Sequence, residues 1–162
     1  MSPIRIREKT ARDHAWITTL MLESWGSEQV VVLERIFHPL QLPAYVATLD
    51  NERIGLITYH LDPPICEIIT LNSLQPGLGC GTLLLNEVQK TALTNGCTML
   101  RLFTTNDNLN ALGFYQKYGF RLERLIKCGV EVDRKIKPEI PLSAENGVPI
   151  RDYLELIMRI DL

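Results

Sequence analysis

No two of the four cysteines, Cys66, Cys80, Cys97 and Cys128, lie close enough to form a CxxC pair, and no secretory leader accompanies them. Reduced thiols are expected rather than a disulfide framework. The three histidines, His14, His38 and His60, are isolated, with no HExxH and no compact His/Cys/carboxylate group, so no structural metal is expected. Charge of one sign is lacking as well: 17 basic against 19 acidic residues give a formal net charge of -2. Such a balance produces no general field for nucleic acid or anionic lipid, and neither partner is expected. No apolar run approaches a membrane span, and Met1-Ser2-Pro3-Ile4-Arg5-Ile6-Arg7 has no apolar signal core, which makes a cytoplasmic protein the expectation. Repeats and low-complexity linkers are also absent. With 162 residues, 46% of them apolar, the chain suffices for one buried core and is short for two, so a single domain over residues 1–162 is expected.

Patterning divides the chain into alternating elements. A short strand at Ile4 to Arg7 precedes Thr10 and Asp13, a helix-start signal, and Ile17, Leu20, Met21 and Trp25 recur at helical spacing until Gly26. Val30 to Leu42 reads as a second short helix or an irregular lid. Tyr45 to Leu49 and Arg53 to Leu61 read as strands joined by the polar turn Asp50-Asn51-Glu52, and Asp62-Pro63-Pro64 returns the chain into a third antiparallel strand, Ile65 to Leu74. That strand is apolar on both faces, the mark of a central position. A helix follows from Gly79 to Asn95 with Gly96 at its end, and the crossover makes the next strand, Met99 to Thr104, parallel to its predecessor. Leu109 to Tyr118 forms a helix, Arg121 to Ile126 a strand, and Tyr153 to Ile160 a last strand placed at a sheet edge, where a second copy would pair to form a homodimer.

Two clusters carry the chemistry. Gly77-Leu78-Gly79-Cys80-Gly81-Thr82 joins a strand to a helix; such glycines let backbone amides crowd around an anion at a helix N-terminus. A P-loop is excluded because Gly81 is followed by Thr82 with no lysine, and a dinucleotide fingerprint because its third small residue falls on Thr82. About 25 residues on, Asn106 to Tyr115 supplies the second cluster, which makes the loop less ambiguous than it would be alone.

The chain resembles the GNAT superfamily of acyl-CoA-dependent N-acyltransferases. Gly79, Gly81, Ala92 and Gly96 match the family's pyrophosphate loop and its helix, and Asn108, Ala111, Phe114, Tyr115, Gly119 and Phe120 match its second motif. One position departs: Pro76 stands in the family's Arg or Gln slot, with Gln75 displaced by one, which shifts the expected grip to backbone amides. The resemblance implies a mixed α/β (α+β) fold, with a mostly antiparallel sheet of six to seven strands, one splayed parallel pair and about four helices. The core would span 4–126, followed by a C-terminal excursion and last strand over 127–162.

It also implies transfer of an acetyl group from acetyl-CoA, as co-substrate, to a primary amine of a small-molecule or peptide acceptor. The alternative is a degenerate GNAT domain that senses acyl-CoA or serves as an interaction module. By analogy the backbone of Leu71, Asn72 and Ser73 pairs with pantetheine, Leu78, Gly79, Cys80, Gly81 and Thr82 hold the pyrophosphate, and Asn108 bonds pantetheine or caps its helix. Tyr115 takes the position of the acid that protonates the leaving thiolate, or is a core tyrosine. An amine of pKa ~10.4 is only about 0.04% neutral at pH 7, so a base is expected. Glu67, which interrupts an apolar strand, is either that base or a structural carboxylate paired with a basic neighbour. Trp25, Gly26, Glu34 and Arg35 fall where this fold usually walls the acceptor site, and Lys137 to Asp152 is long enough to fold over it.

Overall fold

The computed structural model describes residues 2–162; Met1 alone lies outside them. Strand β1 (Arg5–Glu8) leads through a 3-10 turn (Ala11–Asp13) into helix α1 (His14–Trp25). A hairpin of β2 (Val30–Val32) and β3 (Arg35–Phe37) follows, then β4 (Ala44–Leu49), β5 (Glu52–Asp62), β6 (Ile65–Ser73) and α2 (Cys80–Thr94). The remainder is β7 (Met99–Thr105), α3 (Leu109–Tyr118), β8 (Arg121–Ile126), α4 (Gly129–Arg134) and β9 (Tyr153–Arg159). The seven-stranded sheet runs β1-β4-β5-β6-β7-β9-β8, and β6 with β7 is the single parallel pair among the described strands. The mixed fold with four α-helices and one parallel pair therefore stands as the sequence predicts.

The two faces of the sheet are covered differently. Leu84, Leu85, Val88 and Ala92 of α2 pack on Ile57, Cys66, Ile68, Leu100 and Leu156, with Tyr115 and Phe120 completing the same cluster. On the other face α1 sets Ile17, Leu20 and Met21 against Val46 and Leu56, the β2–β3 hairpin sets Val30 and Val32 against Ile69, and α4 sets Val130 against Ile150 and Tyr153. Alternation along the strands sends successive side chains to these two layers.

Two expectations are corrected. Val30 to Leu42 is neither helix nor irregular lid but the β2–β3 hairpin and a 3-10 turn at Pro39–Gln41. Three consecutive β-branched valines favour extended backbone. The turn itself, Leu33-Glu34, has φ of +50° and +65° with no glycine or asparagine to announce it. Its amides are instead held from afar: the buried Asp133 carboxylate accepts hydrogen bonds from Leu33 N–H (2.9 Å), Glu34 N–H (2.7 Å) and the Tyr153 hydroxyl (2.6 Å). The last strand, β9, is likewise not at an edge but lies between β7 and β8, so it has no free side for a second copy.

At the opposite end of the sheet, buried Asp13 receives Arg7 Nη1 and Nη2 and Arg53 Nε, each at 2.8 Å, and the Thr10 amide at 2.8 Å. The Arg7 guanidinium, more than any other neighbour, holds this carboxyl well below the ordinary carboxylate range. A depressed folded pKa stabilises the fold above the unfolded value of ~3.9 and is lost as pH falls below it. Asp13→Asn should cost about 1.5–3 kcal/mol at pH 7. Urea titrations from pH 7 to 3 should also show a shallower acid loss of stability in the variant than in the wild type.

Candidate active site

The parallel pairing of β6 with β7 lasts four residues, from Ile65–Met99 to Ile68–Leu102, and then stops although both strands continue. The cause lies in β6. Opposite β5, Thr58 pairs with Thr70 and Tyr59 with Ile68, so Ile69 is an extra residue, a β-bulge that bends the strand. The buried hydroxyls of Thr58 and Thr70 bond each other across the distortion at 2.7 Å. Beyond it, Leu71, Asn72 and Ser73 pair with Ile57, Leu56 and Gly55 on one side, while the side toward β7 has no strand partner. That open edge suits an extended ligand such as a pantetheine chain. Asn72 Nδ2 donates to Ser24 Oγ at 3.1 Å, but Asn72 Oδ1 is buried without a partner, an acceptor left over at this edge.

The glycine turn leads into the uncapped N-terminus of α2. Gly77 and Gly79 take φ of +84° and +77°, the left-handed region that favours glycine. Gly79 caps α2 without any side-chain cap, and the first helical bond runs from Leu83 N–H to Gly79 O at 3.1 Å. The amides of Cys80, Gly81 and Thr82 therefore have no helical partner and point to the helix N-terminus, as a pyrophosphate requires. The two sequence motifs also touch: a Cβ on Gly81 would lie 3.0 Å from Phe114 Cζ. Cys80 is buried beneath this loop against Gly55, and burial pushes its thiol pKa up, which suits a filler and not a nucleophile.

Asn108 caps α3, its Oδ1 accepting from Ala111 N–H at 3.4 Å, and also lines the cavity described next. Tyr115 lies on the α2 face, its ring 5.3 Å from Phe114 and 5.5 Å from Phe120. Burial alone raises its pKa, so the hydroxyl keeps its proton across the physiological range. Glu67 points to the other face and receives two guanidiniums: Arg35 through Nη1 (3.0 Å) and Nη2 (2.8 Å), Arg101 through Nη2 (2.7 Å) and Nε (3.2 Å). Tyr115 and Glu67 thus stand on opposite sides of the sheet.

A cavity of about 410 Å³ opens beside the splay. Its walls are mainly apolar: Val30, Val31 and Val32 of the hairpin, Ile69 at the bulge, Phe103 of β7, and Val130, Ile140, Ile150 and Tyr153 from the C-terminal region. Trp25, Gly26 and the excursion residues Lys137, Glu139 and Pro141 line it as well. Glu34 and Arg35 do not; Arg35 belongs with Glu67, His60 and Arg101 to a smaller groove of about 280 Å³. Phe103 stands between the two, with the Arg35 and Arg101 guanidinium carbons 5.7 and 5.5 Å from its ring centre.

Residues 8–120 match the profile of the Acetyltransferase (GNAT) family. The chain belongs to this family. It is 43% identical over 142 residues to the uncharacterised protein YxbD of Bacillus subtilis (strain 168), covering 87% of this chain and 89% of that one. Its fold is similar to that of an IAA acetyltransferase from Bacillus cereus ATCC 14579, at TM-score 0.75 and 25% identity, over 97% of this chain and 99% of the other. A GNAT family acetyltransferase from Elizabethkingia anophelis, solved with acetyl-CoA bound, shares the fold at TM-score 0.67 and 24% identity over 96% and 97% of the two chains. The GNAT motifs were legible in the sequence; Phe103, the three valines and the Asp133 anchor were not, because they carry no motif and meet only through packing.

A Cβ on Gly55 would collide with Cys80 Sγ and lie 3.1 Å from both Asn72 O and Leu84 Cδ1. Gly55→Ala should cost about 1–3 kcal/mol by overpacking under the glycine turn. The cost should shrink in a Cys80→Ala background, read as a coupling energy in urea titrations of the four proteins of the cycle.

Proposed function

We propose that this GNAT protein transfers an acetyl group from acetyl-CoA to a primary amine within a ternary complex. The observation that carries the reading is the splay itself: an open β6 edge leads through residues 74–79 to an uncapped α2 N-terminus, and an apolar cavity meets the splay at Ile69, Phe103 and Asn108. The pyrophosphate is held by amides of Leu78 to Thr82, pantetheine by the edge of Leu71, Asn72 and Ser73, and Asn108 fixes the start of α3 beside it. The acetyl-CoA bound to the Elizabethkingia relative supports the choice of co-substrate.

In the reaction the neutral amine attacks the thioester carbonyl carbon. A C–N bond forms, the C–S bond breaks, the CoA sulfur takes a proton, and the nitrogen loses one to solvent. Tyr115 is the proton donor to sulfur; burial raises its pKa, which keeps the resting hydroxyl protonated and works against the transfer. Cys80 forms no acyl intermediate. Glu67 serves as a positioning residue: both its oxygens are engaged by guanidiniums, and through Arg35 it holds the hairpin that walls the acceptor cavity.

Release of free CoA thiol, measured across a panel of amines, tests the activity; no thiol release with any amine, despite CoA binding, would favour the sensor alternative. Tyr115→Phe should lower kcat by about 10²–10⁴ while calorimetric CoA affinity stays nearly constant, and an undiminished kcat would remove the acid role. Glu67→Gln should raise KM for the amine and leave the acid limb of the kcat/KM pH profile in place. Loss of that limb would make Glu67 the base after all.

A further inference from the structure

Among the described residues five charged side chains are buried, Asp13, Glu67, Asp133, Lys137 and Glu155. The four carboxylates are all answered. Asp13 has Arg7 and Arg53, Glu67 has Arg35 and Arg101, Glu155 has Arg124, and Asp133 has two amides and the Tyr153 hydroxyl. Lys137 is the exception. It is 7% exposed, it makes no salt bridge among the described residues, and its ammonium donates to one protein atom, Gln29 O, at 2.9 Å. An ammonium has three donors, so two are left over, and a buried cation without a counter-ion is costly.

The surroundings of Lys137 say where the missing anion belongs. Lys137 lines the 410 Å³ cavity, whose other walls are mainly valines, isoleucines, Phe103 and Trp25, with Ser24, Thr104, Thr105 and Asn108 as uncharged polar residues among them. Desolvation lowers its pKa, with Glu139 acting in the opposite direction from a distance. Glu139 and Glu23 also line the cavity, but both are exposed residues at its mouth, where water screens them. The cavity therefore presents acidic groups at an exposed rim, an apolar body and one buried cation. Its volume falls in the range of small-molecule sites, roughly 300–1,000 Å³.

We propose that Lys137 is the anion-binding group of the acceptor site, and that the acceptor is an amine carrying a carboxylate on an apolar body, such as an aromatic or branched-chain α-amino acid. This rests on the acetyl-transfer reading above and narrows its acceptor. The carboxylate takes the unused donors of Lys137, the apolar side chain fills the space between the hairpin valines and Ile140 and Ile150, and the amine faces the splay at Ile69 and Phe103. An amine without the carboxylate leaves the buried ammonium as it is and forfeits that pairing.

The test compares L-phenylalanine and L-leucine with phenethylamine and phenylalaninamide as acceptors, in the wild type, Lys137→Met and Lys137→Arg, with calorimetric binding of CoA and of each acceptor measured alongside. The wild type should prefer the carboxylate-bearing acceptors by at least about tenfold in kcat/KM. Lys137→Met should bring the ratio near unity through a higher KM for the amino acids, and Lys137→Arg should restore part of it. A wild type indifferent to the carboxylate overturns the proposal. So does a Lys137→Met variant that weakens all acceptors in step, the result expected if the lysine only ties the excursion to Gln29. Failure to bind CoA would sink the acetyl-transfer reading by itself; amino-acid binding lost in Lys137→Met would still sustain the anion site, and binding of neither amino acid would overturn it.

Discussion

Everything functional in this molecule depends on β6 parting from β7. Had the parallel ladder continued past Ile68 and Leu102, the backbone of Leu71 to Ser73 would be buried in the sheet and no cleft would exist between the two strands. The extra residue at Ile69 converts a continuous sheet into a splayed one, and the buried Thr58–Thr70 hydrogen bond supplies a partner for hydroxyls that the bulge traps in the core. The same residue has a second consequence. Ile69 turns onto the hairpin face and becomes part of the cavity wall, so one bulge both frees the β6 edge and floors the cavity.

A splayed sheet exposes apolar surface on the hairpin face, and two buried carboxylates organise what covers it. Glu67 lies in the paired part of β6 and draws Arg35 of β3 and Arg101 of β7 together, tying the hairpin to the sheet. Asp133 of α4 holds the hairpin turn, where Leu33 and Glu34 adopt a left-handed backbone that L side chains rarely take. Loss of either carboxylate leaves partners without a counterpart in or near the core. The two anchors act side by side at the turn end of one short hairpin, on Leu33-Glu34 and on Arg35, and so fix Val30 to Val32 as a wall.

The legibility of the site in sequence follows this division. The cofactor side is built from residues adjacent in the chain: Gly77 to Thr82 with α2 behind it, and Asn108 to Phe120 on one helix. Local backbone demands such as left-handed glycines and a helix cap leave a local signature, and the strands and helices around them were read correctly apart from a residue or two at their ends. The hairpin was missed because the turn that makes it is held by Asp133, about a hundred residues away. A turn that needs a distant carboxylate carries no Asn-Gly or Gly-Gly sign of itself. Glu67 was visible as an anomaly in an apolar strand, yet only the fold shows which basic groups answer it. Lys137 was hidden by its neighbours, since a lysine between two charged stretches gives no hint that it will be buried.

The same division assigns specificity to particular parts of the chain. The family match ends at residue 120, whereas Val130, Lys137, Glu139, Ile140, Ile150 and Tyr153, all beyond it, build one side of the acceptor cavity. In the proposed function the cradle at α2 and the β6 edge meet groups common to every acyl-CoA thioester, so their geometry is constrained by the co-substrate. Residues 127–152 include none of the cradle or edge residues. They are tied to the rest of the fold by Asp133, which reaches the hairpin turn, and by Ile150, which packs with Val130 and Tyr153. A buried cation placed in this segment can therefore set the acceptor without disturbing the cofactor side.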